Sequence, residues 1–276
     1  MPVQSLSTGI DLYYESHGQG EPLVLIPSTA FAGNVWEPYQ VPGLSKSLRL
    51  IIFDPRGCGR SSHPQGVYTI DQMACDVVAL LGHLQIDAAH ILGHSMGGRL
   101  ALSMALNFPG RVKSLILAAS GSGTAAWPGE GCVPGVPFRW IEPLGRAGFE
   151  DQIRHEITQS ETYFTAEFRA QHPDQVTALY DLAWSRYARW PEYVRLCMAR
   201  HSWDSTHRLG EVSAPTLVVV GDRDTGGSDH TRQARTIAQR IPKAELKILR
   251  GQSHGFFWQA PDETNHWIVD WVQSHA

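Results

Sequence analysis

Gly93-His94-Ser95-Met96-Gly97 follows an apolar run, Ala88-Ala89-His90-Ile91-Leu92, and precedes the helical pattern Arg99-Leu100-Ala101-Leu102-Ser103-Met104-Ala105-Leu106. A serine set between two glycines, where a strand gives way to a helix, has the pattern of a nucleophile on a sharp turn. The glycines allow the tight approach of strand and helix that a strained serine backbone demands. The hydroxyl then stands clear at the carboxyl end of a sheet. The helix start behind it offers free amides to developing negative charge, and the Met96 N–H is the first of these. The chemistry expected is acyl transfer through Ser95.

A serine hydroxyl needs a base to take its proton, and the base needs a third group to fix its tautomer. Both must lie where late strands end, because that edge of the sheet faces Ser95. Gly251-Gln252-Ser253-His254-Gly255 follows the strand pattern Ala244 to Leu249, which makes His254 the candidate base. Gly221-Asp222-Arg223-Asp224 follows Val218-Val219-Val220. Asp224 leaves room for its loop to curl back toward His254 and is the favoured acid, with Asp222 read as shaping the turn.

The elements that would carry these residues alternate along the chain. Val3 to Thr8 and Leu12 to Ser16 read as two short antiparallel strands around Thr8-Gly9. Leu23 to Ile26 and Leu50 to Phe53 are continuous apolar runs, as in strands covered on both faces. A helical stripe runs from Ile70 to Ile86 with Thr69 or Asp71 as its cap, and Val112 to Ala119 makes a further strand. From residue 121 to 208 the texture changes to a Gly/Pro-rich opening and then aromatic-rich helices, before strand patterns return at Thr216 to Val220 and Ala244 to Leu249. The expected fold class is α/β: a mostly parallel central sheet with helices on both faces and a helical insertion. The domain reading is core 1–120, insertion 121–208, core 209–276.

With 276 residues and 42% hydrophobic composition, the chain can bury one large core. A net charge of −4 and only four lysines leave no basic patch for nucleic acid or an anionic membrane. No apolar stretch reaches about eighteen residues, and Met1-Pro2-Val3-Gln4-Ser5 does not resemble a signal peptide, so a cytoplasmic monomer or homodimer is expected. The four cysteines are scattered, which reads as unpaired thiols. Thirteen histidines show no metal-ligand spacing, so neither metal nor cofactor is expected.

Four motifs in order resemble the α/β-hydrolase superfamily of cofactor-independent hydrolases. They are Asp54-Pro55-Arg56-Gly57-Cys58-Gly59-Arg60-Ser61, Gly93-His94-Ser95-Met96-Gly97-Gly98, Gly221-x-x-Asp224 and Gly251-x-x-His254. The resemblance implies that Ser95, Asp224 and His254 form a catalytic triad and that 121–208 is a cap over the site. It also implies an oxyanion hole made by Met96 N–H and by the loop after Leu23 to Ile26. Members of the superfamily usually carry His-Gly in that loop, whereas this chain has Pro27-Ser28-Thr29-Ala30. Pro27 has no N–H, so Thr29 N–H is the expected second donor, and a Ser28 or Thr29 hydroxyl could add another. Small lactonases of the 3-oxoadipate enol-lactone type often depart from His-Gly here as well, and the layout is similar to theirs.

The expected activity is hydrolysis of a carboxylic ester or lactone of a medium-sized, partly hydrophobic small molecule. Ser28, Phe31, Trp127, Trp184 and Phe256 are the expected substrate contacts. Matching acidic residues leave the many arginines of the insertion without a clear role as a carboxylate anchor. Cleavage of a C–C bond in a diketone by the same triad is an alternative, and a non-catalytic ligand sensor with this fold is another. Superfamily chemistries that use a carboxylate nucleophile are disfavoured by Ser95.

Overall fold

A computed structural model describes residues 3–123, 148–224 and 229–276. Eight strands form one sheet: β1 (Val3–Ser5), β2 (Asp11–His17), β3 (Pro22–Ile26), β4 (Arg49–Phe53), β5 (Ala89–His94), β6 (Val112–Ala118), β7 (Thr216–Gly221) and β8 (Ala244–Leu249). Their order is β1-β2-β4-β3-β5-β6-β7-β8, antiparallel at β1/β2 and β2/β4 and parallel from β4 to β8. The first strand is shorter than its apolar pattern suggests. Leu6 N–H donates to Ile10 O and Gly9 N–H to Leu6 O, so the chain is turning by residue 6.

The continuous apolar runs divide by parity between two cores. Val24, Ile26, Ile51, Phe53, Ile91, Leu115, Leu117, Val218 and Val220 face helices α2 (Ile70–His83), α3 (Met96–Asn107) and α8 (His230–Arg240). Leu23, Leu25, Leu50, Ile52, Ile116, Leu217 and Val219 face α1 (Gln40–Leu44), α9 (Phe256–Gln259) and α10 (Pro261–Ser274). Both sheet faces are therefore covered, which is why no apolar/polar alternation shows in these strands. Thr69 caps α2, accepting from Gln72 N–H at 3.0 Å, while Asp71 accepts instead from Ser103 Oγ at 2.6 Å and Trp203 Nε1 at 3.0 Å.

Between β6 and β7 lie α4 (Phe149–Thr158), α5 (Ala166–Gln171), α6 (Pro173–Trp184) and α7 (Trp190–Ser202). Ile153, Ile157, Leu179 and Ala183 join the second core and Leu196 and Ala199 the first, so these helices straddle the carboxyl end of the sheet. No helix among the described residues is long and apolar enough to cross a membrane.

The Asp54 to Ser61 motif braces the loop that follows β3. Asp54 Oδ1 accepts from Gly33 N–H at 3.0 Å and Oδ2 from Arg60 N–H at 2.9 Å. Arg56 is bidentate to Asp76 on α2, with both contacts at 2.7 Å and both side chains 3% exposed. Removing one partner would leave a buried charge uncompensated. Asp76→Ala is therefore expected to lower stability by about 3–5 kcal/mol, measured by urea unfolding; a loss under 1 kcal/mol would contradict this account of the pair.

His90 on β5 makes stability pH-dependent. Burial, helped by the Lys113 charge, lowers its pKa to about 4, and its Nδ1 is 2.7 Å from Ser114 Oγ. Below pH 6.5 the unfolded chain takes up a proton that the folded chain refuses until about 4. This contribution to stability is thus complete above the unfolded value and shrinks as the pH falls toward the folded one. Between pH 7 and 5 the wild type should lose about 2 kcal/mol more than His90→Gln, read from denaturant midpoints at each pH. Parallel losses in the two proteins would refute the assignment.

Candidate active site

Ser95 sits between β5 and α3 with φ 56° and ψ −114°, a left-handed backbone that a non-glycine residue holds only under constraint. Such a conformation costs on the order of 1–3 kcal/mol. Its neighbours supply the constraint: Ser95 N–H donates to Ala118 O at 2.8 Å, and Ser120 Oγ donates to Ser95 O at 2.7 Å. A Cβ at Gly93 would strike the backbone of Gly97, and one at Gly97 would strike the carbonyls of Ile26 and Pro27. The two glycines therefore let α3 close onto β5 and onto the loop after β3 at once.

The loops after β7 and β8 are laced together beside this turn. Asp222 Oδ1 accepts from Gly251 N–H at 2.7 Å, and Arg223 N–H donates to Gln252 O at 2.9 Å. Asp222 thus ties the two loops to each other rather than only shaping its own turn. His254 N–H donates to Thr162 O at 3.2 Å and Gly255 N–H to Tyr163 O at 2.8 Å, so the inserted segment also holds this loop. From the other side His94 Nε2 donates to His254 O at 3.0 Å, joining the residue before Ser95 to the backbone of His254. Burial, and then the neighbouring His254, press the His94 pKa well down, so its ring is a neutral donor.

Asp224 is 2% exposed and accepts two imidazoles, one on each oxygen. His254 Nδ1 lies 2.9 Å from Oδ2, and His230 Nδ1 lies 2.9 Å from Oδ1. Burial alone would raise this carboxyl's pKa; the two histidines outweigh it and hold the group well below the usual carboxylate range. An ionised carboxylate only accepts, so each Nδ1 carries a proton, which in the neutral His254 ring makes Nε2 the acceptor. Burial lowers the His230 pKa, against the pull of Asp224, so His230 too is a neutral donor. The ligand atoms of Asp224, His230 and His254 lie within 4.8 Å of one another, and this is a donor set that could take a divalent cation.

Sequence reasoning missed His230 and His94. His230 opens α8 six residues after Asp224 on the same connection, which is the signal that could have found it; His94 is inside the serine motif itself. The N–H groups of Met96 and Thr29, the expected oxyanion donors, have no protein acceptor among the described residues. Ser28 is buried, 2% exposed, beside Tyr163.

The expected substrate contacts divide. Phe31 lines a small apolar cavity with Val35, Ile157, Tyr163, Leu179 and Trp258, and Tyr163 lies 5.4 Å from the His254 ring. Phe256 does not line this cavity. As the first residue of α9 it turns inward, 0% exposed, and packs 4.5 Å from Phe257 and 6.2 Å from His94; Trp258, two residues on, takes the wall. Trp184 also stands off the cavity, stacked on Tyr180 at 6.1 Å and Tyr187 at 5.6 Å. Trp127 lies outside the described residues.

Known proteins are similar to this chain over nearly its full length. The sequence is 30% identical over 260 residues to 3-oxoadipate enol-lactonase 2 of Acinetobacter baylyi, covering 93% of this chain and 91% of that protein. It is 30% identical over 259 residues to a non-heme chloroperoxidase of Kitasatospora aureofaciens, covering 92% of each. Among solved structures it is similar to the enol-lactonase from Burkholderia xenovorans LB400, with a TM-score of 0.83 at 26% identity over 99% of this chain and 100% of that one. Residues 21–261 match the model of the alpha/beta hydrolase fold family, to which this chain therefore belongs.

Proposed function

We propose that this protein is a cofactor-independent serine hydrolase that cleaves a carboxylic ester or lactone through an acyl-enzyme. One observation carries the reading: a strained serine at a strand–helix turn shares the sheet edge with a buried Asp224–His254 pair at 2.9 Å, joined to it by the 3.0 Å His94–His254 bond. His254 Nε2 takes the Ser95 proton as Oγ attacks the carbonyl carbon. The oxyanion is met by Met96 N–H and Thr29 N–H. The imidazolium, held by Asp224, then protonates the leaving alkoxide, and the same base activates water to release the acid. The inserted helices act as the cap.

The apolar lining between Phe31, Leu179 and Trp258 supports an apolar group on the substrate. Similarity to an enol-lactonase favours lactones and esters over diketones.

A fluorophosphonate probe with an ester, lactone and diketone panel tests the proposal. Labelling of the native protein but not of Ser95→Ala, with multiple turnovers on an ester or lactone, is the expected result. Turnover confined to diketones would make it a C–C hydrolase. Absence of both labelling and turnover would leave a ligand-sensing homologue.

A further inference from the structure

Two hydroxyls stand in the loop where the superfamily usually has His-Gly, and the structure treats them differently. Ser28 is buried beside Tyr163, with no charged group bonded to its hydroxyl among the described residues. Thr29 Oγ1 accepts a hydrogen bond from Arg200 Nη1 at 3.1 Å and gives its own proton to no acceptor among the described residues. The residue is only 6% exposed. A buried hydroxyl that accepts from a cation and donates to nothing has its donor side in reserve.

Its position suits that reserve. Thr29 follows β3, and the carbonyls of Ile26 and Pro27 in the same loop press against Gly97, one residue beyond the Met96 amide. The loop's backbone is fixed at its far end by Ala30, which holds φ 68°. The Thr29 hydroxyl is therefore carried on the same rigid segment as the Thr29 N–H expected to face the oxyanion.

Arg200, on α7, is half-buried. Its Nη2 donates to His201 Nε2 at 3.0 Å, and no carboxylate of the described residues forms an ion pair with it. Beside the guanidinium, burial and the charges of Arg200 and Arg99 depress the His201 pKa to about 3, so that ring is a neutral acceptor. Glu156 feels the Arg200 charge without pairing to it. A cation left this poorly neutralised polarises whatever accepts from it, and hydrogen bonds involving ionised partners are roughly twice as strong as neutral ones. Among the described residues, the one hydroxyl it donates to is that of Thr29.

We propose that the Thr29 hydroxyl is a third donor to the acyl oxyanion, and that Arg200 is the positioning residue that aligns and polarises it. The inference rests on the serine-hydrolase reading above and goes beyond it. It replaces the lost His-Gly pattern with a side-chain donor backed by a positive charge from the inserted helices. Developing charge on the oxygen would be met by Met96 N–H, Thr29 N–H and Thr29 Oγ–H together, the last strengthened as negative charge accumulates within reach of the guanidinium.

The test uses the full chain and a neutral p-nitrophenyl ester. Thr29→Val, nearly the same shape without the hydroxyl, should lower kcat about 100-fold with KM within a factor of three, and Thr29→Ser should stay within threefold of wild type in both. Arg200→Gln should lower kcat about tenfold, Arg200→Lys less, and Thr29→Val/Arg200→Gln should be no slower than Thr29→Val alone. A trifluoromethyl ketone that mimics the tetrahedral intermediate should lose affinity by the same factors as kcat. If thermal melting shows Thr29→Val to be unfolded, Thr29→Ala carries the comparison. The proposal is overturned if folded Thr29→Val or Thr29→Ala keeps kcat within threefold. It is overturned equally if Arg200→Gln and Thr29→Val multiply independently, or if Arg200→Gln slows only carboxylate-bearing esters, since the guanidinium would then be a substrate anchor. Those results leave an active, probe-labelled wild type. A wild type that neither labels nor turns over would sink the hydrolase reading as well.

Discussion

Replacing Ser95 by alanine is expected to lower kcat/KM on an activated ester by about 10⁴- to 10⁶-fold. The hydroxyl is the atom that forms the acyl bond, and no neighbouring side chain stands on the same turn to replace it. What survives should be the rate that oriented binding and the oxyanion donors give to direct attack by water. The fold should not change, because alanine shares serine's dislike of φ 56° and the bonds from Ser95 N–H and to Ser95 O use only backbone atoms of residue 95. Ser95→Gly should be equally inactive yet more stable by about 1 kcal/mol, since glycine adopts that backbone without penalty. Steady-state kinetics and thermal melting of the two variants test this together. Residual activity above about 1% of wild type in Ser95→Ala would remove the residue from the chemistry.

Asp224→Asn should lower kcat by about 10⁴-fold. The carboxylate serves two Nδ1–H donors, His254 on Oδ2 and His230 on Oδ1. An amide has only one oxygen, so its NH₂ must face one ring and force it to accept at Nδ1. If that ring is His254, the proton moves to Nε2 and the base cannot take the Ser95 proton. The downfield Nδ1–H resonance in proton NMR should be lost in parallel with kcat; a variant that keeps both would exclude Asp224 as the orienting acid. The same substitution changes acid stability. The folded carboxyl is held below its unfolded value, so its contribution is full above about pH 3.9 and is lost as the pH falls toward the depressed folded value. The asparagine variant should therefore show a flatter stability curve below pH 4.

Several residues owe their position to contacts that leave little local mark. His254 was legible because it directly follows a strand and the connection is short. His230 was not, since its role exists only where α8 begins close enough for its ring to reach the far oxygen of Asp224. His94 stands between Gly93 and Ser95 with nothing local to mark its role, but its ring carries the bond to the His254 carbonyl. Phe256 and Trp258 are both aromatic and both next to the base; only the start of α9 decides that the first points into the core and the second toward the cavity. Helix periodicity cannot choose between them without the phase of the helix.

By itself the sequence determined the alternation of strands and helices, the doubly covered sheet and the three loops that carry Ser95, Asp224 and His254. These depend on apolar periodicity and on glycine at sharp turns, which are properties of residues close together in the chain. Tertiary structure alone decided the second histidine on Asp224, the Arg200–Thr29 contact and the choice of cavity wall. Each joins segments that separate elements bring together, and burial changes what a polar group does once it arrives: a ring becomes a neutral donor, a hydroxyl an oriented one. The pattern of side chains names the candidates, but only packing settles which of them share a hydrogen bond out of water.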